Sequence, residues 1–135
     1  MESESIAALI EREVVSWPNV TVHTHRFGGV EFHVNQHEIG HLHGDRLADL
    51  PFPVRVRREL VADGHASPHH ILPDTGWVSY YMRSVADVAG AIELFRLNYD
   101  RLIGRNPAVA GSAHAGGLEG CKPSKNLSFL RQARA

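Results

Sequence analysis

The residues of this 135-residue chain that could do chemistry are its ten histidines; nine of them, His23, His25, His33, His37, His41, His43, His65, His69 and His70, precede Ile71. An imidazole ring binds metal when neutral, and it takes up or releases a proton near neutral pH. The tightest groupings are His41-Leu42-His43-Gly44-Asp45 and Ser67-Pro68-His69-His70. Side chains two apart on a strand leave the same face about 7 Å apart. His41 and His43 therefore share a side wherever their segment is extended. That spacing can chelate a metal, with Asp45, His69 or His70 completing the shell, although it matches no standard zinc pattern. The competing reading puts the rings on the solvated face of a sheet. His23, His25, His33 and His37 are read that way, whereas for His41, His43, His69 and His70 pocket and surface both stay open.

A second constellation runs from Pro68-His69-His70 to Trp77-Val78-Ser79. Neighbours on a strand face opposite ways, so His69 and His70 enter one pocket only if the strand is irregular there, which Pro68 and Pro73 favour. Trp77, Ser79 and Tyr81 share one parity; Val78, Tyr80 and Met82 share the other. Trp77 is weighed first as core and second as a platform for a ligand. Arg83 is a candidate anion contact, weighed against a solvated strand end. Cys121 has no histidine nearby in sequence and is not read as a nucleophile.

Several elements must position these residues. Ser3 or Ser5 caps a first helix that runs to about Trp17, with Ile6, Leu9, Ile10, Val14 and Trp17 on one face, and Pro18 stops it. Strands are expected at 20–27, 30–34 and 38–43, with Gly28-Gly29 as a turn. Asp49-Leu50-Pro51-Phe52-Pro53 is expected to form a rigid turn into a short helix ending near Asp63. Strand-like segments follow at 65–72 and 76–83. The clearest helix starts at Ser84 and reaches about Arg105, with Val85, Val88, Ile92, Phe95, Tyr99 and Leu102 at steps of three and four. The expected fold is α+β, in the order α-β-β-β-α-β-β-α. It has one antiparallel sheet of about five strands, and its helices lie mainly on one face. A single domain over 1–106 would then precede a basic Gly/Ala/Ser-rich tail over 107–135.

Composition excludes some classes of function. With 14 basic and 15 acidic residues, the formal net charge of -1 gives no global attraction to nucleic acid or anionic membrane. The single cysteine excludes an internal disulfide, and no apolar run approaches a membrane span. The acidic N-terminus lacks the order of a signal peptide, so a cytoplasmic protein is expected. No phosphate-binding glycine loop, nucleophile elbow or paired zinc-ribbon cysteines can be found.

Taken together, Glu38-Ile39-Gly40-His41-Leu42-His43-Gly44-Asp45, Asp49-Leu50-Pro51-Phe52-Pro53 and Pro68-His69-His70-Ile71-Leu72-Pro73-Asp74-Thr75-Gly76-Trp77-Val78-Ser79 resemble the luciferase domain family. Arg83-Ser84 and Leu97-Asn98-Tyr99 fit the same pattern, and the resemblance covers roughly Phe27 to Leu102. It implies the chemistry of the fungal members. These oxidise a hydroxylated α-pyrone with O2, without metal or organic cofactor, through a peroxide that loses CO2. Such a reaction needs a base, a dry pocket, and donors for developing negative charge. By motif position His41, His43, His69 and His70 become candidates for base and oxyanion donors, and Asp45 or Asp74 for orienting a histidine. Phe52 and Trp77 would wall the pocket, with Ser79, Tyr81 and Arg83 beside it.

The expected partner is thus a small enolic or aromatic molecule, with no cofactor, no metal, no nucleic acid and no membrane. A weaker similarity of the Trp77 strand and the Tyr99 helix to MmcQ/YjbR-type α+β proteins supports a different class, a non-enzymatic protein-binding module. A metal-binding protein is the third reading.

Overall fold

Ser5 starts the first helix, as its side chain accepts a hydrogen bond from the Ala8 N–H at 3.1 Å. A computed structural model describes residues 4–24 and 28–104. The domain boundary at 106, the expected tail, His25, Phe27, His114 and Cys121 lie outside the described residues. Helix α1 spans Ile6–Val14 and buries Ile10 and Val14, one helical turn apart. The chain then passes Pro18 into strands β1 (Val20–Thr24), β2 (Val30–Val34), β3 (His37–His43) and β4 (Leu47–Pro51). Helix α2 (Val54–Ala62) follows, with Pro53 at its N-cap position, before β5 (Ser67–Pro68) and β6 (Trp77–Tyr81). A 3-10 turn at Val85–Asp87 leads into helix α3 (Val88–Gly104). Both halves of the capping box expected from Ser84 and Asp87 are formed.

All pairings are antiparallel, and the sheet order is β1-β2-β3-β4-β6-β5. The α+β class and the antiparallel sheet are as expected, but among the described residues the sheet has six strands. The additional one is β4, in a stretch read from sequence as a rigid turn. Its prolines misled: a proline is excluded from the middle of a central strand but tolerated at an end. Pro51 is the last residue of β4, opposite Trp77.

Helix α3 lies across β2, β3 and β4, and α1 packs on α3. Leu42, Ala48 and Tyr80 form one cross-strand row on that side, and the Tyr80 hydroxyl donates to the Asp87 carbonyl at 2.9 Å. The Phe32 and Phe95 rings meet edge to face at 5.5 Å. The buried stripe of α3 is Ala91, Leu94, Phe95, Asn98, Tyr99 and Leu102. Val85, expected on it, is 62% exposed because it belongs to the 3-10 turn ahead of the helix.

One irregularity places the site. Gly40 lies opposite Phe32 and Glu38 opposite His33, so Ile39 has no partner on β2 and forms a bulge. Ile39 thereby turns into the core, although it has the parity of His41 and His43. The buried Asn98 side chain donates to the Ile39 carbonyl at 2.8 Å, fastening the bulge to α3. The helix comes so close at Gly40 that a Cβ there would stand 2.8 Å from Phe95 Cε1 and Leu50 Cγ. Gly40→Ala should therefore destabilise the fold by about 1–3 kcal/mol through overpacking. Urea titration checks this, and an unchanged midpoint would show that the α3–β3 approach is looser than drawn.

Candidate functional site

The face of the sheet away from α3 carries the row His41–Asp49–Ser79, three residues directly opposite one another on β3, β4 and β6. Asp49 is 1% exposed. Its Oδ1 accepts the Ser79 hydroxyl at 2.7 Å. Its Oδ2 faces four imidazoles. The Nε2 atoms stand 3.1 Å away for His43, 3.2 Å for His70, 3.4 Å for His69 and 3.6 Å for His41. The four histidines singled out in the sequence are thus brought together, around an aspartate that sequence reasoning had assigned to a turn.

Each ring is oriented by a different local device. His41 and His43 leave β3 on one side, as their spacing requires, and meet edge to face at 4.7 Å. His69 and His70 follow directly after β5, where the chain is no longer a strand, so the rule that neighbours point apart does not bind them. Their rings stack at 4.4 Å and 23°. The bulge at Ile39 lets Glu38 face the same way as His41, and Glu38 Oε2 accepts from His41 Nδ1 at 2.6 Å.

The hydrogen bonds assign the protons. Nδ1 of His69 accepts the backbone N–H groups of Ile71 and Leu72 at 3.1 and 3.0 Å, so it bears no proton. The proton of a neutral His69 is then on Nε2, directed at Asp49. Burial also pushes the His69 pKa down, which favours that neutral ring. Burial acts the same way on His41, but hydrogen bonds and charges from Asp49 and Glu38 outweigh it and raise its pKa to about 9. Burial would raise Asp49, yet hydrogen bonds from His41, Ser79 and His70 hold its carboxyl well below the usual carboxylate range. A cation at His41 between two carboxylates is the resulting charge arrangement.

Trp77 is half-buried and packs its ring 5.5 Å from His41 and 5.7 Å from His69. Ser79, Tyr81 and Arg83 border a cavity of about 370 Å³, together with His65 and Ser67. Tyr81 and Arg83 are exposed. The remaining candidates lie elsewhere. Asp45 Oδ1 accepts the Ala7 N–H at 2.8 Å, which ties the β3–β4 turn to the start of α1. Phe52 is buried in the core, and Asp74 is exposed in the turn before β6.

Two residues escaped sequence reasoning, Asp49 and Glu38. The signal for Asp49 was available: one acid between apolar neighbours in Leu47-Ala48-Asp49-Leu50. Glu38 had no such signal, because its orientation depends on the bulge. Two triads of potential metal ligands, His41/His43/Asp49 and Asp49/His69/His70, each keep their ligand atoms within 4.8 Å of one another.

A family model for the luciferase domain matches residues 36–98, which assigns that segment to the luciferase domain family. No curated protein and no solved structure matches the chain. The matched segment holds every member of the cluster, from Glu38 to Ser79, and ends at Asn98. No helix among the described residues is long and apolar enough to cross a membrane.

The difference between the two aspartates is measurable. Asp49→Asn withdraws the buried charge that the imidazoles share and should lower stability by about 1–3 kcal/mol. Asp45→Asn, at an exposed helix start, should cost about 0.5 kcal/mol or less. Guanidinium melts at one fixed pH compare them, and equal losses would show that Asp49 does not organise this face.

Proposed function

We propose, with residues 36–98 placed in the luciferase domain family, that this domain binds a small aromatic or enolic molecule beside Asp49 and stabilises its anionic form. The observation that carries this reading is the convergence of four imidazoles on Asp49 Oδ2. Groups able to accept and return a proton are there concentrated within one small region next to the indole of Trp77.

An enolisable substrate needs three things from a protein: a proton acceptor, donors for the oxyanion, and a flat apolar wall. His43 and His70 are the rings of the cluster that reach solvent, with about a third of each side chain exposed, so they are the ones a ligand meets first. His41 and His69 sit behind them and set the field. Trp77 supplies the wall. The neighbouring cavity gives room for the body of the molecule, and Arg83 at its rim suits a substrate that carries a negative charge. Oxygenase-type chemistry on the enolate is the reaction class this arrangement serves. The enolate carbon would react with O2, as in the family's light-emitting members.

A direct test uses a hydroxylated α-pyrone as probe. Binding should quench tryptophan fluorescence in the natural chain and not in Trp77→Phe, since Trp17 packs against Tyr99 of α3, on the side of the sheet away from the cluster. His43→Ala and His70→Ala should each weaken binding about tenfold or more, the equivalent of one hydrogen bond to a charged group. Quenching that persists in Trp77→Phe, or affinity indifferent to both histidines, would remove the site from this reading.

A further inference from the structure

The geometry points to a resident divalent transition-metal ion, of the zinc or ferrous class, held by Nε2 of His41 and His43 and by Oδ2 of Asp49. This departs from the cofactor-free expectation that the family resemblance implied. It also stands independently of the enolic-ligand reading.

The first argument is a count of hydrogen-bonding capacity. A carboxylate oxygen has about two lone-pair sites. Asp49 Oδ2 nevertheless has four ring nitrogens within 3.6 Å, while Oδ1 is already taken by Ser79. Hydrogen bonding alone does not require four rings there. Coordination accounts for two of them, because ligands around a metal with bonds of about 2.0–2.2 Å stand roughly 3.3 Å from one another in a tetrahedral site. The separations of 3.1 and 3.6 Å from Asp49 for His43 and His41 bracket that edge length, and the ligand atoms of these three residues all lie within 4.8 Å of one another.

The second argument is the outer layer of partners, which sorts ligands from supports. A metal-binding histidine characteristically donates its other ring N–H to a carboxylate, which fixes the ring and raises its basicity. His41 does this through Nδ1 to Glu38 at 2.6 Å. A ligating carboxylate is likewise steadied on its outer oxygen, and Ser79 does so at 2.7 Å. His69 is different. Its Nδ1 takes two backbone N–H bonds, so its Nε2 carries the proton and cannot donate a lone pair. His69 is therefore a positioning residue, whose N–H steadies Asp49 at 3.4 Å.

Two imidazoles and one carboxylate form a borderline donor set. It suits zinc and iron, and disfavours magnesium and calcium, which take oxygen. Three protein ligands, with His43 partly exposed, leave the ion an outward position, and such an open position is the mark of a catalytic rather than a structural site.

The experiment uses the full chain made without a histidine tag, stripped with a chelator and titrated with Zn2+ and with Co2+ as a coloured stand-in. One equivalent per chain is expected, with a raised melting temperature and a cobalt visible spectrum of low-symmetry nitrogen and oxygen coordination. Mg2+ and Ca2+ should produce neither effect. His43→Ala changes a partly exposed side chain, so it should fold and still lose the tight equivalent, whereas His70→Ala should keep it. Glu38→Gln should weaken it about 10- to 100-fold. His69→Gln should keep the one-to-one stoichiometry, and His23→Ala, on β1, should bind as the natural chain does.

Uptake well below one equivalent would overturn the inference, as would tight binding unaffected in His43→Ala. Loss of the equivalent in His69→Gln or in His70→Ala would overturn the ligand assignment. Pyrone binding measured on the stripped chain separates the two readings. A chain that binds pyrone but no metal loses only this inference, and one that binds metal but no pyrone loses only the proposed function.

Discussion

A single buried carboxylate organises the face of the sheet that lies away from α3. Asp49 sits on a central strand with neighbours on both sides, so its charge cannot reach water and must be met from within the protein. The surrounding groups supply that compensation. Ser79 donates to one oxygen, four imidazoles surround the other, and Glu38 supports the ring that takes on positive charge. A carboxylate held ionised in this way is expensive to build into a sheet, and such groups concentrate where a protein does chemistry.

The sheet and the helix cooperate to make that arrangement possible. The cross-strand register aligns His41, Asp49 and Ser79, while Leu42, Ala48 and Tyr80 turn toward α3. A regular β3 would send Glu38 to the face opposite His41. The bulge at Ile39 reverses this, and Asn98 secures it from the helix at 2.8 Å. A polar residue in the core of α3 thus acts on the far side of the sheet through one carbonyl. The close approach at Gly40 belongs to the same joint.

The histidines divide along physical lines. On β1 and β2, His23 bonds Thr21 at 3.0 Å, His33 pairs with Glu31 and lies 4.7 Å from His23, and these rings lie outside the Asp49 cluster. His41, His43, His69 and His70 converge because three separate segments, β3, β4 and the stretch after β5, meet at one point. Both proposals, a bound enolate and a metal, rest on this convergence. Both need several nitrogen atoms directed at one small volume.

Much of this was legible in the amino-acid order. Periodicity and caps fixed α1, α2 and α3 to within a few residues, since burying an apolar stripe and satisfying helix ends are local demands. Alternation revealed most of the strands and placed His41 and His43 on one side, because parity is a property of any extended chain. The motifs that hold the four histidines also carried the family resemblance. Other features are set by pairing between distant segments. Whether Leu47–Pro51 is a turn or a strand depends on β3 and β6 flanking it, and whether Glu38 faces His41 depends on a bulge fastened by a residue 59 positions away. The sequence alone therefore determined which side chains could act. Only the tertiary structure decided that they gather around Asp49, because a cluster of like rings needs a common opposite charge, and no local rule places that charge.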